Sequence, residues 1–91
     1  MSELAKPGDA ATRGGCWFEA GSVRVHLGVE TPFAPAKKAH PAFLVASLGV
    51  LRDRLGEAGL AFTDDGEMPG YERVFLSDPF GNRIELLSRL D

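Results

Sequence analysis

The feature that most constrains the fold is the stretch at residues 71–87, whose sequence is YERVFLSDPFGNRIELL. Two runs rich in apolar residues, at 73–77 and 83–87, flank the segment DPFGN at 78–82. That segment contains proline, glycine and asparagine, which are residues that favour tight turns. A strand, a turn and a second strand predict a β-hairpin, and a hairpin of this kind needs a sheet with a buried face.

Glu85 lies in the middle of the second predicted strand, where a charged side chain is unexpected. Side chains alternate between the two faces of a strand, so one face holds Glu85 with its second neighbours, Arg83 and Leu87. The other face holds Ile84 and Leu86, which favour the hydrophobic core. Glu85 is therefore predicted to point away from that core, onto a face that has a reason to hold a negative charge.

Composition narrows the class of protein. The chain has 91 residues, a net charge of −3 and a pI near 5.3, which argues against non-specific binding of nucleic acid. No stretch is long and apolar enough for a membrane span, and the N-terminus lacks the apolar core of a signal peptide. The single cysteine, Cys16, has no partner for an internal disulfide, which favours a reducing cytosol. We therefore expect one small domain with a cytoplasmic location.

The rest of the chain predicts strands with one helix. Ser47 is a suitable N-cap and Gly59 a suitable C-terminal stop for a helix over 47–58. Apolar residues recur between them at helical spacing, at Leu48, Leu51, Leu55 and Ala58. The other predicted elements are a flexible tail, a hairpin, an edge strand and a short strand, at 1–14, 16–30, 39–46 and 60–63. This mixed order indicates an α+β fold rather than a doubly wound sheet.

Two parts of the sequence resemble a known family. AHPAFLVASLGVLRDRLGEAGLAFTDD, followed by YERVFLSDPFGNRIELLS, is similar to the second βαβββ module of the vicinal oxygen chelate superfamily. That group includes glyoxalase I, bleomycin- and fosfomycin-resistance proteins and extradiol dioxygenases. The strand ending DPxGNxIEL is the most recognisable motif, and the hairpin GGCWFEAGSVRVHLGVE resembles the last two strands of the first module.

The resemblance implies a glyoxalase-like domain over residues 15–91, built on a curved mixed sheet. The complete βαβββ module falls at 39–89 and the hairpin of a first module at 15–30, after a flexible tail at 1–14. The first strand and helix of that first module have no counterpart in this sequence. The chain is therefore expected to be an N-terminally incomplete member of the superfamily.

The resemblance also implies a metal site. Members of the superfamily place metal ligands on the first and last strands of each module, and the matching positions here are His26, His40 and Glu85. Two imidazoles and a carboxylate suit a divalent metal such as Zn, Ni, Fe or Mn. Three protein ligands also leave open positions for two adjacent oxygens of a substrate.

Each of these residues could instead have an ordinary structural role that involves no metal. His26 would lie on a solvated sheet face, and His40 would be a polar residue at the entry to a strand. Glu85 would be an ion-pair partner of Arg73 or Arg83. These alternatives stay open at the level of sequence.

The function that the resemblance implies is a metal-dependent enzyme of the lyase, isomerase or dioxygenase type. Its substrate would be small and would bind through vicinal oxygens, with Glu85 as a metal ligand or a catalytic base. One alternative is a resistance-type protein that binds and sequesters a small molecule without chemistry. Another is an inactive fragment that keeps only the fold.

A homodimer is also expected. The hairpin at 15–30 would otherwise expose an unpaired strand edge and one apolar face. Four aliphatic residues share that face: Val23, Val25, Leu27 and Val29. A second copy related by two-fold symmetry would cover them and would allow a cleft shared between the chains.

Overall fold

The computed structural model describes residues 1–8, 11, 14–64 and 68–90. These residues form six strands, paired into two three-stranded sheets, and one helix. In chain order the elements are β1 (Ser2–Leu4), β2 (Cys16–Ala20), β3 (Val23–Leu27), β4 (Ala42–Leu44), α1 (Leu48–Glu57), β5 (Tyr71–Ser77) and β6 (Arg83–Arg89). The predicted α+β class is confirmed. No helix in the described part of the chain has the length and apolarity to cross a lipid bilayer.

The first of two compact units, Met1–Ala34, contains an antiparallel sheet in the order β1-β2-β3. The β2–β3 hairpin is the one that the sequence predicts, and Gly21 takes a positive φ of 58° in its turn. β1 is a departure, because the sequence predicts a flexible tail over 1–14 and the structure pairs Ser2–Leu4 with β2. The backbone N–H and C=O groups at the edge of β2 need partners, and this need leaves no trace in a side-chain pattern.

The second compact unit, Pro35–Asp91, has β6 at the centre of its sheet. β4 runs parallel to β6 on one side and β5 runs antiparallel on the other. The predicted C-terminal hairpin is confirmed as the pair β5–β6. Its register sets Ser77 opposite Arg83 and Phe75 opposite Glu85, so the face that carries Glu85 also carries Phe75.

Helix α1 begins and ends where the capping residues predict. The hydroxyl of Ser47 accepts a hydrogen bond of 3.3 Å from the backbone N–H of Val50. Gly59 follows the last turn with a positive φ of 71°, a conformation that costs glycine little. The helix packs against β6, and its Arg52 pairs with Glu72, which alternation places on the face of β5 opposite Phe75 and Glu85.

The hydrophobic core of this unit is small. Leu48 and Leu55 of α1 are buried, together with Val74 of β5, which is fully buried. Leu51, which the helical spacing also assigns to the buried stripe, is only half-buried. The helix is therefore buried mainly through Leu48 in its first turn and Leu55 near its end.

The strand predicted at 39–46 is shorter in the structure, where β4 spans Ala42–Leu44. Pro41 precedes β4 and has no backbone N–H with which to extend the pairing. Its carbonyl still accepts a hydrogen bond of 3.0 Å from the N–H of Glu85. His40 therefore lies just before the strand rather than within it.

The strand predicted at 60–63 is reduced to a single bridge. Thr63 exchanges two backbone hydrogen bonds of 2.9 Å with Phe75 on the outer edge of β5. The N–H of Leu60 donates instead to the carbonyl of Leu55, at the end of the helix. Because the N–H of Leu60 is used at the end of α1, the start of this segment does not pair with β5.

We expect Leu48→Ala to destabilise the protein by about 2–5 kcal/mol, because it leaves a cavity at a fully packed position. That is a large share of the stability of so small a domain. Val50→Ala is the matched control on the same helix, since Val50 is 52% exposed, and its effect should stay within about 0.5 kcal/mol. Urea unfolding followed by circular dichroism measures both. Equal effects of the two substitutions would show that α1 does not pack through Leu48.

Candidate functional site

Glu85 is a buried carboxylate at the centre of β6, with 5% of its surface exposed. A buried negative charge is costly unless a partner compensates it. Two side chains do so here. His40 Nε2 lies 3.0 Å from Glu85 Oε1, and Arg73 Nη1 lies 3.6 Å from Oε2. Each carboxylate oxygen therefore faces a different nitrogen group.

The protonation of His40 follows from its second contact. Its Nδ1 lies 2.6 Å from the backbone carbonyl oxygen of Lys37, which can only accept, so the proton is assigned to Nδ1. The other ring nitrogen, Nε2, is then directed at Glu85 Oε1. Two lone pairs would repel each other at 3.0 Å, so a proton or a metal cation has to lie between them. A backbone carbonyl that fixes Nδ1–H and leaves Nε2 for a cation is the usual arrangement of a metal-binding histidine.

Backbone hydrogen bonds bring His40 to Glu85 although the two are far apart in sequence. The chain ahead of His40 runs beside the start of β6, where the N–H of Arg83 donates to the carbonyl of Ala36 at 2.7 Å. The side chain of Asn82 reinforces this contact, because its Oδ1 accepts from the N–H of Ala36 at 2.8 Å. The hairpin turn therefore holds the segment that carries His40.

The turn itself is organised by Asp78. Its Oδ1 accepts from the backbone N–H groups of Phe80 and Asn82, both at 2.9 Å, and its Oδ2 accepts from Asn82 Nδ2 at 2.8 Å. The donation from the Asn82 amide is the main reason that the pKa of Asp78 is lowered. Gly81 supplies the positive φ of the turn, at 88°.

Phe75 completes the face around Glu85. The imidazole of His40 meets its ring edge-on, with centroids 5.5 Å apart. The guanidinium carbons of Arg73 and Arg83 lie 5.1 and 5.5 Å from the ring centroid. Arg73 Nε is buried and has no hydrogen-bond partner among the described residues.

Sequence reasoning named Arg73 only as a possible ion-pair partner of Glu85, and the structure places it in that role. It placed Phe75 in the core or lining a pocket, and missed its contact with this pair. The position of Phe75 could have been predicted from the hairpin, because a turn at 78–82 sets Ser77 opposite Arg83. Counting two residues back from that pair sets Phe75 opposite Glu85, with Arg73 on the same face.

His26 lies on β3, in the other compact unit, and its side chain is exposed. The imidazole stacks on the indole of Trp17, with centroids 3.8 Å apart and an angle of 5° between the planes. Stacking uses the faces of the ring and leaves the nitrogens at its edge available. The structure thus brings His40 and Glu85 together. In the described ranges it shows no group of three His, Cys, Asp or Glu side chains that could hold a metal ion.

The His40–Glu85 pair nevertheless fits one side of a metal centre. Bonds from a divalent ion such as Zn²⁺ to imidazole nitrogen and carboxylate oxygen are about 2.0–2.2 Å long. In the tetrahedral geometry of Zn²⁺ two such ligands lie about 3.4 Å apart, so a small movement of either side chain from the observed hydrogen-bond distance of 3.0 Å would admit the ion. A nitrogen and an oxygen donor together suit Zn, Ni, Fe or Mn. Arg73 competes for the same carboxylate, because its positive charge already balances that of Glu85.

Comparison with known proteins adds to this geometry. No protein-family model matches the chain, and no curated protein matches it. A crystal structure of a protein from Bacillus anthracis, described as a "putative glyoxalase family protein", matches with a TM-score of 0.90 and 44% sequence identity. The match covers 99% of this chain and 74% of that one. This chain belongs to the glyoxalase family.

Membership of the glyoxalase family confirms the resemblance on the hairpin and helix sequences, and it confirms the glyoxalase-like fold. It leaves the reaction undetermined, because one fold can support several chemistries.

We expect Asp78→Asn to destabilise the glyoxalase-family fold at pH 7, because it removes the carboxylate that organises the turn. A lowered pKa in the folded state means that this stabilisation is complete above the ordinary value of 3.8. It is lost as the pH falls through the lower pKa of the folded protein. The melting temperatures of wild type and variant should therefore differ at pH 7 and converge once the pH falls below the lowered pKa of Asp78 in the folded protein. Asp53→Asn, at an exposed helix position, is the control and should change the pH 7 melting temperature little.

A constant difference in melting temperature for Asp78→Asn from pH 7 to the acid limit would contradict this account. It would mean that the turn depends on the shape of residue 78 and not on its charge.

Proposed function

We propose that this chain is a metal-dependent enzyme of the glyoxalase type that acts on a small substrate through two vicinal oxygens. The reaction class is a lyase, isomerase or dioxygenase reaction. The observation that supports this most directly is the 3.0 Å contact between His40 Nε2 and Glu85 Oε1. A half-buried imidazole held against a buried carboxylate of the central strand, with Nδ1–H directed at a backbone carbonyl, is suited to hold a cation.

The residues that would hold the metal are His40, through Nε2, and Glu85, through Oε1. His26 is the proposed third ligand, and its support is the family resemblance together with an imidazole edge that stacking on Trp17 leaves available. The metal would be Zn, Ni, Fe or Mn. When bound, such an ion supplies Lewis-acid stabilisation for negative charge on adjacent substrate oxygens.

Glu85 has a second possible role as the base of the reaction. Hydrogen bonds to both β4 and β5 hold its strand in place, so the carboxylate keeps a fixed position. Its Oε2 atom faces Arg73 at 3.6 Å, which is longer than a strong hydrogen bond. That oxygen can therefore take a proton from a substrate while Oε1 stays with His40.

We expect the purified protein to bind one divalent metal ion per site, and His40→Ala and Glu85→Gln to weaken that binding by at least about tenfold. Titration calorimetry with Zn²⁺ and Mn²⁺, together with elemental analysis, measures affinity and content. Arg73→Gln is the matched control on the same carboxylate. Removing its competing charge should leave metal affinity unchanged or raise it.

Equal metal content in wild type and His40→Ala would overturn the assignment of the pair. A circular dichroism melt of each variant separates loss of a ligand from loss of the fold. His26→Ala, measured in the same way, decides whether His26 is the third ligand.

A second candidate function is binding of a small molecule without chemistry. The observation that favours it is a cavity of about 450 Å³ whose lining is mainly apolar and includes Leu60, Phe62 and Phe75. Ligand binding that is unchanged when all metal is removed by chelation, together with no turnover in the metal-loaded protein, would favour this function over the enzyme.

We also propose that the protein is a homodimer. Within the unit Met1–Ala34, Val23 and Leu27 share one face of the sheet and are 48% and 53% exposed. Neighbouring aliphatic side chains that are half exposed are costly in water. We expect sedimentation equilibrium at micromolar concentration to give the dimer mass, and Leu27→Lys to give the monomer. A folded wild-type monomer at every concentration would contradict the proposal.

We propose a cytoplasmic location for this enzyme. The support is chemical: Cys16 is a free thiol and the sequence contains no second cysteine with which it could form an internal disulfide.

A further inference from the structure

One cavity in the unit Pro35–Asp91 shares Phe75 with the surroundings of the His40–Glu85 pair, although neither member of the pair lines it. It has a volume of about 450 Å³, within the range of small-molecule sites, and lies between β5 and the segment that carries Thr63. Phe75 links the two places, because its ring lines the cavity and also meets the imidazole of His40 at 5.5 Å. A ligand lying against Phe75 would therefore contact the residue that faces Glu85 across the β5–β6 pair.

The lining of this cavity combines apolar surface with one positive charge. Its apolar part comes from Leu60, Phe62, Phe75 and Leu76. Arg83 is the one charged residue of the lining, and Ser77, directly opposite it across the hairpin, adds a hydroxyl group. A flat apolar body with a negatively charged end matches this combination.

Arg83 is available to bind an anion. Three other arginines of the described chain have carboxylate partners: Arg24 with Glu19, Arg52 with Asp64 and Glu72, and Arg73 with Glu85. In the described ranges, no carboxylate lies within ion-pair distance of Arg83, whose guanidinium approaches the ring of Phe75 instead. Its planar fork of N–H donors matches the two oxygens of a carboxylate.

Arg73 strengthens the positive potential at the same ring. Its guanidinium lies 5.1 Å from the centroid of Phe75, and its buried Nε–H has no partner in the described part of the chain. Buried donors without a partner are uncommon in native proteins. Two guanidinium groups therefore face one ring, and among the residues that the structure describes Glu85 is the one carboxylate within ion-pair distance of either of them.

We propose that this site takes small carboxylic acids with an apolar or aromatic body, with the carboxylate on Arg83 and the body against Phe75. The inference deepens the proposed function and rests on it, because it names the substrate class of the same site. Binding of the carboxylate itself needs no metal, so the two can be tested separately.

The test uses benzoate as the probe and benzamide as its neutral analogue, on the metal-free protein. We expect benzoate to bind saturably and at least about tenfold more tightly than benzamide, because a charge-assisted bidentate contact is lost in the amide. Two-dimensional NMR should show shifts at residues 60–63 and 75–77. Arg83→Gln should weaken benzoate binding at least about tenfold and leave benzamide binding unchanged, which also shows that the variant is folded.

Arg89→Gln is the control, since Arg89 is an exposed arginine on the same strand and does not line the cavity. Its benzoate affinity should equal that of wild type. Equal benzoate affinity in Arg83→Gln and wild type, or shifts confined to other residues, would overturn the inference even if the metal binds as proposed. Benzoate binding as expected, in a protein that binds no metal, would support the carboxylate site and overturn the proposed metal-dependent reaction instead.

Discussion

The negative charge of Glu85, buried in the central strand of its sheet, is the constraint on which the arrangement of this unit depends. A carboxylate at 5% exposure has lost most of its water, and the attraction of nearby positive groups has to repay that cost. His40 and Arg73 are held one at each oxygen. Replacing a complete set of buried charges by apolar residues of similar volume is often neutral or stabilising, whereas removing Glu85 alone would leave His40 and Arg73 without their partner. The retention of a charge there is better explained by a role in binding or chemistry than by stability.

The turn at 78–82 connects that charge to the rest of the fold. Asn82 has two roles, since its amide nitrogen donates to Asp78 within the turn and its amide oxygen accepts from Ala36 outside it. The same side chain thus closes the hairpin that carries Glu85 and holds the segment that carries His40. Because one residue makes both contacts, the shape of the turn and the position of His40 are coupled. The turn at 78–82 therefore both closes the hairpin and positions His40, although its sequence is typical of any hairpin turn.

What could be predicted from the sequence follows from how local each feature is. Alternation predicted the hairpin and the face of Glu85, and the caps Ser47 and Gly59 predicted the helix, because these rules involve neighbouring residues. β1 was not predictable in this way, since Ser2–Leu4 is a strand only because β2 offers it a partner. The segment at 60–63 was predicted as a strand, but the N–H of Leu60 donates to Leu55 at the end of the helix, and the pairing with β5 is a single bridge at Thr63. The family resemblance predicted that His40 lies near Glu85. The two residues are 45 positions apart, so no local pattern connects them. His26 stays a prediction.

The charges on the Glu85 face also relate the proposed metal to the proposed anionic ligand. Arg73 and Arg83 carry one positive charge each and Glu85 carries one negative charge, so the face is positive before any metal binds. A divalent ion held by His40 and Glu85 would add two further positive charges in a partly desolvated place. Repulsion between the metal and the guanidinium groups would then limit its affinity. An anionic ligand on Arg83 removes part of that repulsion, so the metal and a carboxylate should each favour the binding of the other. Such coupling is reciprocal, and it gives a physical reason for the proposed metal site and the proposed anion site to share the ring of Phe75.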